Sequence, residues 1–282
     1  MNKKLAPYLL IIMTAIGTIG WSFVSDVPGG MISKLTTPMI QGFPHVEWVS
    51  FLIELFTDLI LIVAMYFAYR KRKEIWDFAN QRIFKELGLG WLLGFGFFAL
   101  IWLISVFMGG FKVTGIFNIL NIGWFLLFVV GYFIQGLSEE VLFRGYVMGR
   151  FVEYRHIFLG IFFNSLFFTI LHGANDNFTT EAFLGLFLFG LLMSFLRYAG
   201  MSLWGLGAFH GAWNLTEGVI FGTSVSGNEA TSIIFSSKMI PGHALINGNE
   251  FGIEASWLSI IMHVIFIGLI LVWMKKFKKN SI

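Results

Sequence analysis

Apolar stretches of about twenty residues recur along the whole chain, and a stretch of that length spans a bilayer as a helix. Eight can be drawn, at about 5–24, 47–69, 89–109, 116–136, 157–173, 181–198, 201–222 and 254–274. The 282 residues are 57% hydrophobic and 12% charged, where a soluble domain carries about 25% charge. The expected fold class is therefore all-α, a polytopic membrane protein of about eight transmembrane helices. Residues 1–282 read as a single integral membrane domain without an internal repeat or a low-complexity linker. Lys3 and Lys4 before the first apolar run resemble the start of a signal peptide. The length of that run and the seven spans after it favour an uncleaved helix instead.

The placement of charge predicts orientation. Lys3, Lys4, Arg70, Lys71, Arg72, Lys73, Arg82, Lys85, Arg144, Arg150, Arg155, Arg197, Lys275, Lys276, Lys278 and Lys279 fall on one side of the drawn spans, and only Lys34, Lys112 and Lys238 on the other. By the positive-inside rule both termini face the cytoplasm of a multi-pass cell-membrane protein, and an even number of spans agrees with that. The net charge of +3 gives no footprint for nucleic acid, because the basic residues sit between apolar runs. The chain has no cysteine, which excludes disulfides, thiolate ligands and a cysteine nucleophile. Arg70 to Leu87 reads as a cytoplasmic loop, and the Gly-, Ser- and Asn-rich segment from about Gly222 to Glu254 as either a lid or a mobile surface loop.

Against this lipid-compatible background one run stands out, Gln135-Gly-Leu-Ser-Glu-Glu-Val-Leu-Phe-Arg-Gly145. An ionised group inside a membrane helix costs about 2.5–3.5 kcal/mol on insertion scales and marks a candidate functional site. If the fourth helix continues through Glu139 and Glu140 to a turn near residues 152–157, the acids lie roughly 20 Å from that turn at about 1.5 Å per residue. On the same rise, His172 lies roughly 24 Å up the returning helix and His210 roughly 14 Å into the seventh, so all three can share one layer. A helix broken at Gly136 would separate them. Residues four apart share a helix face, so Glu140 and Arg144 can pair, whereas Glu139 points about 100° away and is left as the candidate general base.

Asn164, Phe168 and His172 form one polar-bearing stripe, and His210, Asn214 and Glu217 another. These can serve chemistry or hydrogen-bond helix to helix. Glu54 and Asp58 read as interfacial, His263 as a packing residue, and Ser138 as a helix cap or bend. No Gly-x-Ser-x-Gly, His-Glu-x-x-His, phosphate loop or nucleotide fingerprint is present.

Three motifs in order, Glu139-Glu140-x-x-x-Arg144, Phe168-x-x-x-His172 and His210-x-x-x-Asn214, resemble the CPBP family of CAAX proteases and bacteriocin-processing proteins, also called the Abi family. The resemblance covers about residues 130–220. It implies an eight-helix intramembrane glutamic endopeptidase with its active site in a cavity within the membrane. Glu139 would activate water, with His172 positioning it. His210 and Asn214 would stabilise the oxyanion, and Glu140, Arg144 and Phe168 would support the site. The resemblance implies no cofactor and no metal. Its substrates are membrane-associated peptides, lipidated peptides or prenylated proteins, and a bacterial style of sequence favours a peptide or lipopeptide. The alternatives are a zinc-dependent membrane protease built from the same acids and histidines, a non-catalytic bacteriocin-immunity or scaffold protein, and a proton-coupled transporter.

Overall fold

The computed structural model describes residues 6–42, 45–78 and 80–278; Lys3, Lys4 and Lys279 lie outside the described residues. Helices α1 (Ala6–Thr36), α2 (Val46–Tyr69) and α3 (Ile83–Phe107) come first. Strand β1 (Phe111–Gly115) and α4 (Ile122–Glu140) follow, and α4 runs through a π-helical stretch, Val141–Val147, into α5 (Met148–Glu153). Then come α6 (Ile157–Leu171), α7 (Thr180–Ala199) and α8 (Leu203–Leu215), the last continued by a second π-helical stretch, Thr216–Phe221. Strand β2 (Phe235–Met239), the short α9 (Ala244–Asn247) and α10 (Trp257–Lys278) complete the order.

Seven helical runs among the described residues are long and apolar enough to cross a membrane: α1, α2, α3, α4 with α5, α6, α7 and α10. The protein is thus a polytopic membrane protein. The stretch expected as a span at 201–222 differs from these seven. Helix α8 is 13 residues long, and all of it except Trp204 is buried. Enclosed by α3 and α4, against which it packs most extensively, it has no lipid-facing surface to make apolar. It can therefore carry His210, Asn214 and, in its π-helical extension, Thr216 and Glu217.

Short-range contacts sort the connections into two ends. At one end Arg72 meets Glu153 at 3.3 Å and Arg197 meets Asp77 at 2.9 Å, and the Leu203 amide donates to the Asp77 carbonyl. At the other, β1 and β2 pair antiparallel from Phe111 opposite Met239 to Gly115 opposite Phe235. Helix α8 with its extension runs from the first end to the second, so the passage missing from the seven is made inside the protein.

Local chemistry sets several boundaries. Helix α3 starts at Ile83, earlier than the expected 89, and so includes Glu86. Its buried carboxylate accepts from the Ser202 amide at 3.1 Å, at the start of α8, where a helix dipole favours negative charge. Thr179 caps α7 by accepting from the Ala182 amide, and Gly200, at φ 110°, ends that helix in the left-handed region. The Gly222–Glu254 segment is a folded cap and not a loose surface loop. Asn247 donates to the carbonyls of Gly110 and Ile240, both at 3.0 Å, and Val225, Ile233, Phe251 and Ile253 are buried.

The α3–α8 and α4–α8 seams depend on glycine. A Cβ on Gly94 would collide with the Phe209 carbonyl, and one on Gly136 with the Gly211 backbone, whereas one on Gly96 meets open space. Overpacking of this kind typically costs about 1–3 kcal/mol. Gly94→Ala and Gly136→Ala are therefore expected to lower the melting temperature in detergent, and Gly96→Ala to leave it unchanged. Equal melting of all three variants would refute the close-packing account.

Candidate active site

The site is built where α4 passes into its π-helical stretch. The helix does not break at Gly136; it continues through both acids, with Glu140 its last α-helical residue. A π turn adds a residue to the helical circuit and is frequent at functional sites. Glu140 is fully buried, and its Oε1 accepts from Arg144 Nη1 at 2.8 Å and from His210 Nδ1 at 2.9 Å. Arg144, equally buried, also donates from Nη2 to the Gly190 carbonyl on α7 at 3.0 Å, and its guanidinium lies 5.0 Å from the centre of the Phe168 ring. One ion pair thereby ties α4, α6, α7 and α8 together.

Glu139 faces the other way, as its position predicts. Its Oε2 lies 3.9 Å from His172 Nε2 and 3.8 Å from His210 Nε2. The other ring nitrogens fix both imidazoles. His172 Nδ1 is 2.8 Å from the Phe168 carbonyl, which can only accept, so Nδ1 carries the proton. His210 Nδ1 donates to Glu140. Both Nε2 atoms are thus turned toward Glu139. Gln135, one turn before Glu139 on the same face, donates from Nε2 to Glu139 Oε1 and accepts from Asn214 Nδ2 at 2.9 Å. That chain, Asn214 to Gln135 to Glu139, joins α8 to α4 beside the histidines.

All seven motif residues, Glu139, Glu140, Arg144, Phe168, His172, His210 and Asn214, come together here. Gln135 was not singled out. Its signal was available, because it is an amide in an apolar helix at four residues from a carboxylate. Others fall elsewhere. Asn164 bonds to the Gly160 and Ile161 carbonyls and to Ser194 on α7, a link between helices away from Glu139. Glu217 is buried toward the cap end. His263 bonds to the Ser259 carbonyl and packs on Phe97, as a packing residue should. Ser138 donates to the Gln135 carbonyl within its own helix.

A cavity of about 530 Å³ opens over Glu139, lined by Gln135, His172, His210 and Asn214. Its opposite wall carries Glu54 and Asp58 of α2, which the sequence reading assigned to the interface. The cap contributes part of the wall, where Glu254 accepts from the Trp213 indole at 3.0 Å and from the Ser226 hydroxyl at 2.5 Å. Among the described residues no group of three or more histidines and acids is placed to hold a metal ion.

A carboxylate flanked by two oriented imidazoles, in a cavity enclosed by membrane-spanning helices, defines a polytopic membrane protein with a candidate hydrolytic centre. Residues 121–216 match the family model described as Type II CAAX prenyl endopeptidase Rce1-like, a segment that contains every motif residue named above. The chain therefore carries a domain of that peptidase family. No curated protein matches the chain.

Removing the arginine would leave the Glu140 carboxylate buried beside a helix seam. Breaking a buried pair this way costs about 3–5 kcal/mol. Arg144→Ala is expected to lower both the melting temperature and any activity, and a variant that melts with the parent would show that the pair does not hold the helices together.

Proposed function

We propose that the protein is an intramembrane glutamic endopeptidase that hydrolyses a peptide bond in a membrane-associated peptide or lipidated peptide, with both termini in the cytoplasm. The observation that carries this reading is the position of Glu139 Oε2, 3.8 and 3.9 Å from the two imidazole nitrogens. Those separations exceed direct hydrogen bonds and leave room for the attacking water between Glu139 and His172 and for the carbonyl oxygen beside His210.

In this mechanism Glu139 takes a proton from water as the oxygen attacks the scissile carbonyl carbon. His172, locked by its bond to Phe168, orients that water. The carbonyl becomes a tetrahedral oxyanion, which accepts hydrogen bonds from Nε2–H of His210, acting as an imidazolium with its Nδ1–H on Glu140, and from the Asn214 N–H not given to Gln135. Collapse of the intermediate breaks the C–N bond, and Glu139 passes its proton to the leaving amine. Glu140 and Arg144 touch no reacting atom; they hold His210. Gln135 holds Glu139 Oε1, leaving Oε2 to the water. Placing the site within the membrane, beneath a cap, favours a substrate segment that is itself membrane-bound over a soluble one.

Purified protein assayed against prenylated and unmodified peptides tests this directly. Glu139→Gln is expected to abolish cleavage while melting with the parent, and chelator to leave the parent active. Loss of an oxyanion donor typically costs about 10²–10³ in rate, so Asn214→Ala should fall in that range. Activity lost in chelator would transfer the chemistry to zinc, and full biological activity in Glu139→Gln would mark a binding protein.

A further inference from the structure

The cavity has a direction. The lining residues that lie in or beside a connection, among them Gly30 near the end of α1, Glu54 on the first turns of α2, Asn175 after α6 and Asn228 in the cap, all belong to the end that holds the β1–β2 ribbon. None comes from the connections at the other end, between α2 and α3, α5 and α6, or α7 and α8. On that side the floor beneath Glu139 is packed shut by Val141, Phe143, Arg144, Tyr146 and Val147, all buried. A separate groove there, lined by Arg70, Lys73 and Trp204, shares no residue with the cavity.

The two ends also differ in charge. Arg70, Lys71, Arg72, Lys73, Arg82 and Arg155 crowd the closed end. The open end has Lys34, Lys112 and Lys238 alone as its basic residues among those described, and its cavity wall is acidic, with Glu54, Asp58 and Glu254. Basic loops stay on the cytoplasmic side because translocating them is disfavoured.

We infer that the active site takes its substrate from the extracytoplasmic face: a peptide segment displayed on, or emerging at, the outer surface of the membrane, and not a lipidated tail presented from the cytosol. A cytosolic peptide would have to pass the packed floor below Glu139. This inference rests on Glu139 being the hydrolytic centre, but its test reads access and needs no hydrolysis, so the two can fail separately.

The native chain has no cysteine, so single reporters can be introduced into it unchanged. In intact cells expressing the full chain, Asn228→Cys on the cap and Glu54→Cys in the cavity wall are expected to react with a small membrane-impermeant cationic thiol reagent. Lys73→Cys is expected to react only after permeabilisation. Gly30→Cys, where a side chain meets open space, replaces Glu54→Cys if that variant does not insert. The reverse pattern at Asn228 and Lys73 would overturn the orientation. The expected pattern there, with Glu54→Cys and Gly30→Cys reactive only after permeabilisation, would overturn the outward mouth.

Discussion

The Glu140–Arg144 pair is the constraint on which the rest of the structure hangs. Two full charges with no exposure to solvent are expensive to bury, and well-packed apolar residues of the same volume are often more stable. The pair is therefore poorly explained as a stabiliser in its own right. Its geometry explains it better: from one helix it reaches an imidazole on α8, a carbonyl on α7 and an aromatic face on α6. Hydrogen bonds and ion pairs have direction where lipid-like packing has none. The pair gives four apolar helices a single register, and that register aims both Nε2 atoms at Glu139.

Helix α8 shows the complementary strategy. A helix that touches lipid must be apolar outside, but one surrounded by protein may carry polar groups wherever a neighbour can satisfy them. Glycines on α3, α4 and α8 bring the backbones close enough for α8 to be enclosed. Enclosure then allows His210 and Asn214 to be held in place, since nearly every side chain around them is packed. The polar site and the small-residue seams are one design read at two scales.

Much of this was legible in the residues. The four-residue spacing of Glu140 and Arg144 predicts their pairing and turns Glu139 outward, and the rise per residue puts His172 and His210 in its layer. The parts that were not legible share a cause. Hydropathy cannot distinguish lipid from protein as the apolar surroundings of a helix, so 201–222 reads like the other spans. Periodicity gives the face on which Glu54 and Asp58 sit but not what that face looks upon. The cap was ambiguous because its anchors are remote in sequence: Trp213 and Glu254 are 41 residues apart, and Gly110 and Asn247 are 137 apart.

The π-helical stretch after Glu140 has a consequence for how this chain can vary. A π turn is an α-helix holding one residue more than its circuit needs. Losing any one residue between Val141 and Val147 would let the strand of backbone relax into an ordinary helix. Because the extra residue is absorbed in the wide turn, everything beyond would keep nearly its present face relative to the two acids, and the change would fall on the turn itself. A deletion between Glu140 and Arg144 would shorten the four-residue interval that pairs them, whereas one between Gly145 and Val147 would leave that interval intact. The number of residues between Glu140 and Arg144 is thus as much a part of the site as either side chain.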